Sequence, residues 1–367
     1  MNIVVTGSKG FIGRNLCVYL QENQYNVIQI DRKTPQKDVR LYLKKADFVF
    51  HLAGVNRPLD PNEFQSENVD LTDFILGVLT DSNRCVPIVL TSSTQAKLDN
   101  DYGVSKLAAE RLVQSYSVST GAAAYIYRLP NVFGKWCKPN YNSFVATFCN
   151  NVLNGVQNSI HNPKAPVRLV YIDDVCASFV KLLNGNVEPG FQEVPIEFNT
   201  TVGEVADTIL SFKSIRTSLI TERVGSGLTR ALYSTYLSYA QPQNFNYSIP
   251  AYKDDRGVFC EMLKTKDSGQ FSYFTAGPGI TRGGHYHHTK NEKFLVIKGR
   301  AEFKFENILS GERHCIKVDG ESPELVETIP GWTHDITNVG EGELIVMLWA
   351  NEIFDRDRPD TFARELF

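Results

Sequence analysis

Residues 1–23, MNIVVTGSKGFIGRNLCVYLQEN, decide the fold of the first two thirds of the chain. An apolar run (Ile3, Val4, Val5) reads as a strand. A Gly-rich turn follows, then a helical pattern that continues through Leu20. Gly7, Gly10 and Gly13 form GxxGxxG at this strand-to-helix junction, with Phe11 and Ile12 inside the turn. Missing side chains at those positions let a pyrophosphate approach backbone N–H groups at the helix N-terminus. A glycine triplet alone is equally compatible with a structural turn. The second strand-like run, NVIQID, ends in Asp31 where a dinucleotide fold needs an acid beside the ribose. Arg32 and Lys33 follow directly. Asp31 suits the 2′-hydroxyl of NAD, whereas the two cations suit a 2′-phosphate if Asp31 turns aside, so the expected cofactor is NADPH. The competing reading makes Arg32 and Lys33 a solvated loop.

Residues 46–54, ADFVFHLAG, are apolar up to small residues and read as a buried parallel strand whose tip, Leu52 and Ala53, lies along the cofactor. Residues 87–94, PIVLTSST, form another such strand and end in the hydroxyls of Ser92, Ser93 and Thr94, where an open parallel sheet binds ligand. Next comes YGVSK, residues 102–106. On a helix, Tyr102 and Lys106 share one face, which puts an ammonium beside a phenol. A phenol has a pKa of about 10, and an adjacent cation favours its ionised form. Tyr102 is therefore a proton-donor candidate for an oxygen that gains negative charge, as when hydride adds to a ketone. By itself this spacing is common on exposed helices, and its order after the preceding strands gives it meaning.

Taken together, TGxxGxxG, the HLAG run, strand-end hydroxyls and YxxxK resemble an extended short-chain dehydrogenase/reductase. That resemblance implies that a Ser or Thr and the Tyr contact the substrate oxygen, while Lys106 binds the nicotinamide ribose and tunes Tyr102. Ser93 matches the hydroxyl position best and Thr94 second, although Ser93 and Tyr102 are only nine positions apart, a shorter loop than is usual there. Residues 127–134, YRLPNVFG, resemble the stretch by which extended members hold a nucleotide-sugar, which implies a sugar or diphosphate contact for Asn131. Residues 167–175, VRLVYIDDV, resemble a later strand and helix start, implying a diphosphate contact for Arg168; a surface ion pair is the plainer alternative. The two Asp there equally serve as helix caps. The resemblance weakens after about residue 185, and residues 202–215 carry a helical pattern assigned to a small substrate-binding lobe.

From about residue 248 the texture changes to short strand-like segments separated by Gly, Pro and Asn turns, which predicts an all-β sandwich or barrel after a linker near 245–252. Within it, GITRGGHYHHTKNEKFLVIKG (279–299) places His285 and His287 on one side of an extended chain, with Glu292 five residues later; PGWTHDITN (330–338) adds His334. Three His and a carboxylate suit a divalent metal, expected to be zinc. The alternative is a metal-free barrel in which these His are buried hydrogen-bonding residues. The spacing resembles the cupin pattern G(x)5HxH(x)4E(x)6G from Gly279 to Gly299; the PG before His334 departs slightly from the second cupin motif. DDRGVF (254–259) and TRGGHYH also resemble deoxysugar 3,5-epimerases of the cupin superfamily, which implies that His285 is a proton-abstracting base. One nitrogen cannot both ligate a metal and take a proton. Tyr286, Lys293 and Asp335 are the other candidate bases. His288 is expected to be an exposed neighbour, and His51, His161 and His314 to be structural.

At 367 residues, 42% hydrophobic and 22% charged, the chain is expected to form two or three globular domains, placed here at 1–247 and 248–367. A net charge of -3 offers no electrostatic footprint for nucleic acid or membrane. Seven Cys without a CxxC pair suit a reducing cytosol, and no signal-like or membrane-length apolar segment is present, so a cytoplasmic enzyme is expected. The combined motifs resemble the bifunctional UDP-sugar epimerase/reductases of capsular-polysaccharide biosynthesis. By that resemblance the barrel inverts C3 of a UDP-4-keto-6-deoxy-N-acetylhexosamine. Tyr102 and NADPH then reduce C4, giving UDP-2-acetamido-2,6-dideoxy-β-L-talose on the way to UDP-N-acetyl-L-fucosamine. Family grounds also imply a homodimer through the cupin domain. Two alternatives stand beside it: a reductase whose barrel only binds sugar or dimerises, and an NADPH sensor, against which the intact Tyr and Lys argue.

Overall fold

A computed structural model describes residues 1–249, 252–254, 257–259, 263–265, 269–352 and 357–366. It divides into two compact units, Met1–Ser143 with Val167–Thr200, and Phe144–Pro166 with Thr201–Phe367. In the first unit β1 (Asn2–Thr6), α1 (Phe11–Glu22), β2 (Asn26–Ile30), α2 (Gln36–Lys44) and β3 (Phe48–His51) alternate as the apolar runs predict. A short α3 (Asn62–Phe64) passes through a π-type turn into α4 (Leu71–Asp81), followed by β4 (Ile88–Ser93), α5 (Asp101–Thr120) and β5 (Ala124–Leu129). After β6 (Asn131–Phe133), the chain leaves for α6 (Phe144–Leu153) in the second unit, then returns through β7 (Pro166–Tyr171), α7 (Ile172–Lys181) and β8 (Gly190–Gln192) to β9 (Phe198–Thr201).

Six strands form a parallel sheet in the order β2-β1-β3-β4-β5-β8. Ile3, Val4, Val5, Val49, Phe50, Ile88 and Val89 are buried, which is why these strands read as continuous apolar runs rather than alternating ones. Strand order reverses between β1 and β3, so the crevice beyond their C-terminal ends is the ligand position of an open α/β sheet. The glycine turn, the Leu52–Ala53 tip and Ser93 all lie at those ends. Gly7 has a φ of 65°, and a Cβ there would meet the Ala53 nitrogen at 2.7 Å, so the turn and the β3 tip are packed backbone to backbone.

The second unit begins with helices α6, α8 (Val202–Ser211), α9 (Ile215–Ser218) and, after β10 (Ile220–Thr221), α10 (Gly227–Leu237). Its β part comprises β11 (Asn246–Ser248), β12 (Tyr252–Asp254), β13 (Gly257–Phe259), β14 (Lys264–Thr265), β15 (Gln270–Ala276), β16 (Thr281–Tyr286), β17 (Glu292–Lys298), β18 (Arg300–Asn307), β19 (Arg313–Asp319), β20 (Glu324–Glu327), β21 (Trp332–Asn338), β22 (Leu344–Ala350) and β23 (Phe362–Ala363). Two five-stranded antiparallel sheets, β11-β20-β17-β22-β15 and β19-β18-β21-β16-β23, make the cupin-like barrel. The expected linker differs from what is found. Asn246–Ser248 already pairs with β20, and Phe245 packs edge-on against Phe305 and Trp332, so an aromatic inside the proposed linker is barrel core. Asp255 and Arg256 of the DDRGVF stretch lie outside the described residues.

Within the second unit, α9 and α10 bring Arg216 and Tyr233 to a buried ionic group on the barrel strands. Lys293 donates to Glu327 and to the Tyr247 hydroxyl at 2.9 Å, and Arg216 pairs with Glu327 at 2.8 Å. Burial alone would push the Lys293 ammonium down, but the Glu327 carboxylate holds it above its ordinary value. Removing one partner of such a group typically costs about 3–5 kcal/mol, because the remaining charge stays buried.

Helix α5 starts at a position with almost no spare room. Asn100 accepts the Gly103 N–H at 2.8 Å as its cap, and a Cβ on Gly103 would lie 2.3 Å from the Gln95 carbonyl oxygen and 2.6 Å from that of Leu98. Gly103→Ala is therefore expected to destabilise the protein by about 1–3 kcal/mol, the usual range for overpacking. A urea unfolding series at neutral pH, compared with wild type, measures it.

Candidate functional site

The 3-10 turn Thr94–Lys97 and the Asn100 cap span the short loop between β4 and α5 and bring Ser93 to Tyr102. The Ser93 hydroxyl is a hydrogen-bond partner of the Tyr102 phenol and also accepts from the Gln95 N–H at 3.2 Å. Lys106, one helical turn on, is buried and donates to the Thr91 carbonyl at 2.9 Å. The expected lowering of Tyr102 is not what the site does. Burial pushes the phenol up, with Ser93 opposing, and Lys106 is itself brought down to about 8 by burial, with Glu110 opposing. Thr94 is partly buried beside Ser93.

On the cofactor side, α1 opens at Gly10 with no side-chain cap and no acid in its first turn, which leaves its N–H groups directed at an incoming phosphate. Phe11 and Ile12 are its first two residues. The Leu52 and Ala53 N–H groups both donate to Thr6 Oγ1 at 3.2 Å. That hydroxyl is held in turn by the ring of His51, whose other nitrogen meets Thr72 Oγ1 at 2.9 Å. Asp31 does not turn aside. It accepts the Lys33 N–H at 2.7 Å and pairs with Lys9 of the glycine turn, a cation that the sequence reading did not single out. Arg32 is exposed, with Glu67 at 3.7 Å. Asn131 and Arg168 lie on the neighbouring strands β6 and β7. Asn131 donates to the Arg168 carbonyl at 3.3 Å, and the Arg168 guanidinium pairs with Glu197, the surface ion pair named as the alternative to a diphosphate contact.

The barrel gathers His285, His287, Glu292 and His334, each offering one ligand atom, all within 4.8 Å of one another. A bulge between Gly283 and His285 sets His285 opposite His334 on β16 and β21, while Glu292 reaches in from β17 of the other sheet. The Nε2 atoms of His287 and His334 each lie 3.3 Å from Glu292 Oε2. Burial, then His334 and His287, bring His285 down to about 3, and burial also lowers His334. Burial would raise Glu292, yet the two His hold it well below its ordinary range. Burial pushes His285 and His334 toward the neutral form that ligates a divalent cation, and His334 Nδ1 and Nε2 have no well-directed hydrogen bond among the described residues. This donor set fits zinc.

Strand alternation sorts the other candidate bases. Tyr286 stacks on Phe362 at 5.5 Å, Lys293 lies under the helices with Glu327, and Asp335 is opposite Lys304 on β18. Each neighbours a cluster residue in sequence and so projects to the other side of its strand. His288 is buried rather than exposed, edge-on to Tyr286 and Phe362, because β23 covers that side. His161 is exposed, and His314 lies edge-on to Phe245.

Residues 3–194 match the family model described as the NAD dependent epimerase/dehydratase family, and residues 252–362 match the polysaccharide biosynthesis C-terminal domain. The chain is 52% identical over 365 residues, 99% of its own length and 98% of the other, to UDP-2-acetamido-2,6-beta-L-arabino-hexul-4-ose reductase of Pseudomonas aeruginosa. It belongs to the NAD dependent epimerase/dehydratase family. Two solved structures each align over 100% of both chains. One is the capsular polysaccharide assembling protein CapF from Staphylococcus aureus (TM-score 0.69, 41% identity). The other is CapF with the inhibitor 3-isopropenyl-tropolone (TM-score 0.64, 37% identity). No described helix is long and apolar enough to cross a membrane.

In this family member the loop after His287 is held by a residue far along the chain, which no local pattern announces. The Asp360 carboxylate accepts the N–H groups of His288 at 2.8 Å and of Thr289 and Lys290 at 2.6 Å, and the Thr289 hydroxyl at 2.9 Å. Its own carbonyl meets His287 Nδ1, which turns Nε2 toward the cluster. From α10, Ser234 donates to the Thr289 carbonyl at 2.9 Å and Arg230 to the Thr289 hydroxyl. Asp360→Ala strands several buried donors, so a loss of roughly 3 kcal/mol or more is expected. Differential scanning calorimetry of the full chain, compared with wild type, checks it.

Proposed function

We propose that the chain is an NADPH-dependent nucleotide-sugar 4-ketoreductase whose barrel first epimerises the same sugar. The observation that carries the reductase half is the Ser93–Tyr102–Lys106 group beyond the β4 end, in a chain 52% identical to a UDP-hexulose reductase. Bound NADPH supplies the hydride. Ser93 holds the substrate carbonyl oxygen by a hydrogen bond, and Tyr102 donates its proton to that oxygen as charge develops on it. Lys106 keeps positive charge behind the phenol. The NADPH choice rests on the cations Arg32 and Lys33 alone, because Asp31 stays in place, paired with Lys9, rather than turning aside.

In this reading the N-terminal α/β region carries reduction, and the barrel that opens at β11 carries epimerisation. The substrate is a UDP-4-keto-6-deoxy-N-acetylhexosamine, and the product is UDP-2-acetamido-2,6-dideoxy-β-L-talose. The C–H beside a ketone is acidic, so C3 inversion needs a base, charge stabilisation on the carbonyl oxygen and reprotonation from the opposite face. His285, His287, Glu292 and His334 would hold a divalent cation, zinc in our reading, whose positive charge stabilises that oxygen or braces the barrel. One observation favours the narrower alternative of a reductase with a sugar-binding barrel. Tyr286, Lys293 and Asp335 face away from the cluster, which leaves His285 as the named base although it belongs to the donor set.

Mass spectrometry of products from that keto-sugar, with and without NADPH in deuterated water, separates the two readings. Deuterium at C3 without NADPH supports epimerisation, and its absence removes that half. Tyr102→Phe is expected to lower NADPH oxidation by at least about a hundredfold, within the usual weight of a general acid, while leaving C3 exchange intact. Equal oxidation by the variant would exclude Tyr102 as donor. His287→Ala is expected to lose the bound metal, read by elemental analysis of purified protein, with stoichiometry dropping from near one toward zero.

A further inference from the structure

Strand β4 and helix α5 meet at three consecutive residues. Ser93 faces Tyr102, the Thr91 carbonyl accepts from Lys106, and the Ser92 hydroxyl donates to the Glu110 carboxylate. Tyr102, Lys106 and Glu110 are spaced by four and lie along one helix face. Glu110 is only 1% exposed. Arg128 of β5 grips it through Nε at 2.9 Å and a terminal nitrogen at 2.6 Å, with its guanidinium 4.6 Å from the Phe191 ring centroid. No step proposed above uses Glu110.

We propose that Glu110 is a positioning residue for the reduction: through Ser92 it fixes the register of α5 on the β4 tip, and it sets a carboxylate one turn beyond Lys106 on the same helix face. This rests on the reductase reading. A carboxylate withdrawn from water is expensive, and Arg128 alone would satisfy it. The added bond to Ser92 ties the same carboxylate to the strand that ends in the substrate-facing hydroxyl. Lys106 is also withdrawn from water, and its partner Thr91 O is a dipole rather than a charge. Groups facing Lys106 from other elements do not replace Glu110. His51 on β3 is kept neutral by burial and by Lys106 itself, and Asn68 carries no charge. Burial brings Lys106 down while Glu110 holds it up. Without that carboxylate the ammonium loses its proton at lower pH, and the phenol loses the cation behind it.

The test uses the full chain, UDP-4-keto-6-deoxy-N-acetylhexosamine and NADPH, with initial rates across pH. Glu110→Gln is expected to lower kcat about tenfold or more through misplacement, with KM for the sugar little changed. Its alkaline limb in kcat/KM is expected to move down by about one pH unit, the size of a single nearby charge. Ser92→Ala and Glu110→Asp keep the charge but loosen the register, so both should lower kcat with the limb at its wild-type position. A folded Glu110→Gln with the wild-type limb overturns the proposal, because a purely structural pair would cost stability and leave the profile alone. If Glu110→Gln does not fold, wild-type kcat in both other variants overturns it. A wild type that oxidises no NADPH with this sugar sinks the reductase reading and this proposal together; an active wild type with an unshifted Glu110→Gln sinks the proposal only.

Discussion

Charge withdrawn from water is the constraint on which both units are built. Lys106, Glu110, Glu292, Lys293, Glu327 and Asp360 all lie in places where an unpartnered charge would cost several kcal/mol. Each is answered by a specific partner, and the partner fixes a piece of geometry. Lys106 answers to Thr91, Glu110 to Arg128 and Ser92, and Asp360 to three successive N–H groups. Because these partners come from other elements, satisfying the charge also sets where a helix or loop sits. The candidate site residues inherit that placement: Tyr102 sits one turn before Lys106, and His287 immediately before the loop held by Asp360.

Most of the fold is legible in the sequence because its information is local. The glycine turn with flanking strand and helix, the buried runs that become β3 and β4, and the HxH spacing all report their neighbours through period and spacing. What is not legible comes from residues remote in sequence. Asp360 lies some seventy positions beyond the loop it holds, and His288 is covered by β23, so its burial carries no signal within its own stretch. Lys293 looks like a strand residue free to act, until α9 and α10 cover it and Glu327 answers its charge. Phe245 reads as linker until Phe305 and Trp332 close around it. Lys9 is visible in the sequence, but only the return of β2 beside β1 shows that it meets Asp31.

The barrel cluster follows the same rule with two sheets in place of a helix and a strand. His285 and His334 are cross-strand partners on one sheet, and Glu292 reaches across from the other. The bulge at Gly283 creates that pairing: without the extra residue, the alternation of β16 would send His285 to the opposite side. Four potential ligand groups are therefore brought together by the packing of the two sheets. A cation held by this donor set, as proposed above, would link metal affinity to the folding of the barrel.

The protonation state of Tyr102 shows how burial can serve chemistry that the spacing alone misreads. From YxxxK the natural expectation is a phenol pulled toward ionisation by its lysine. In the folded chain burial pushes the phenol the other way, and Ser93 only opposes it. A proton donor benefits from this, because a phenol already ionised at working pH would have nothing to give. In the proposed reduction the lysine would matter after the proton has moved, when a phenolate would be left in a place with little water to stabilise it. In the proposed reduction Lys106, brought down by burial to about 8, would be the cation one turn along the helix at that moment. Burial thus keeps the phenol protonated, and in the proposed mechanism the buried ammonium would lower the cost of the state that follows proton transfer.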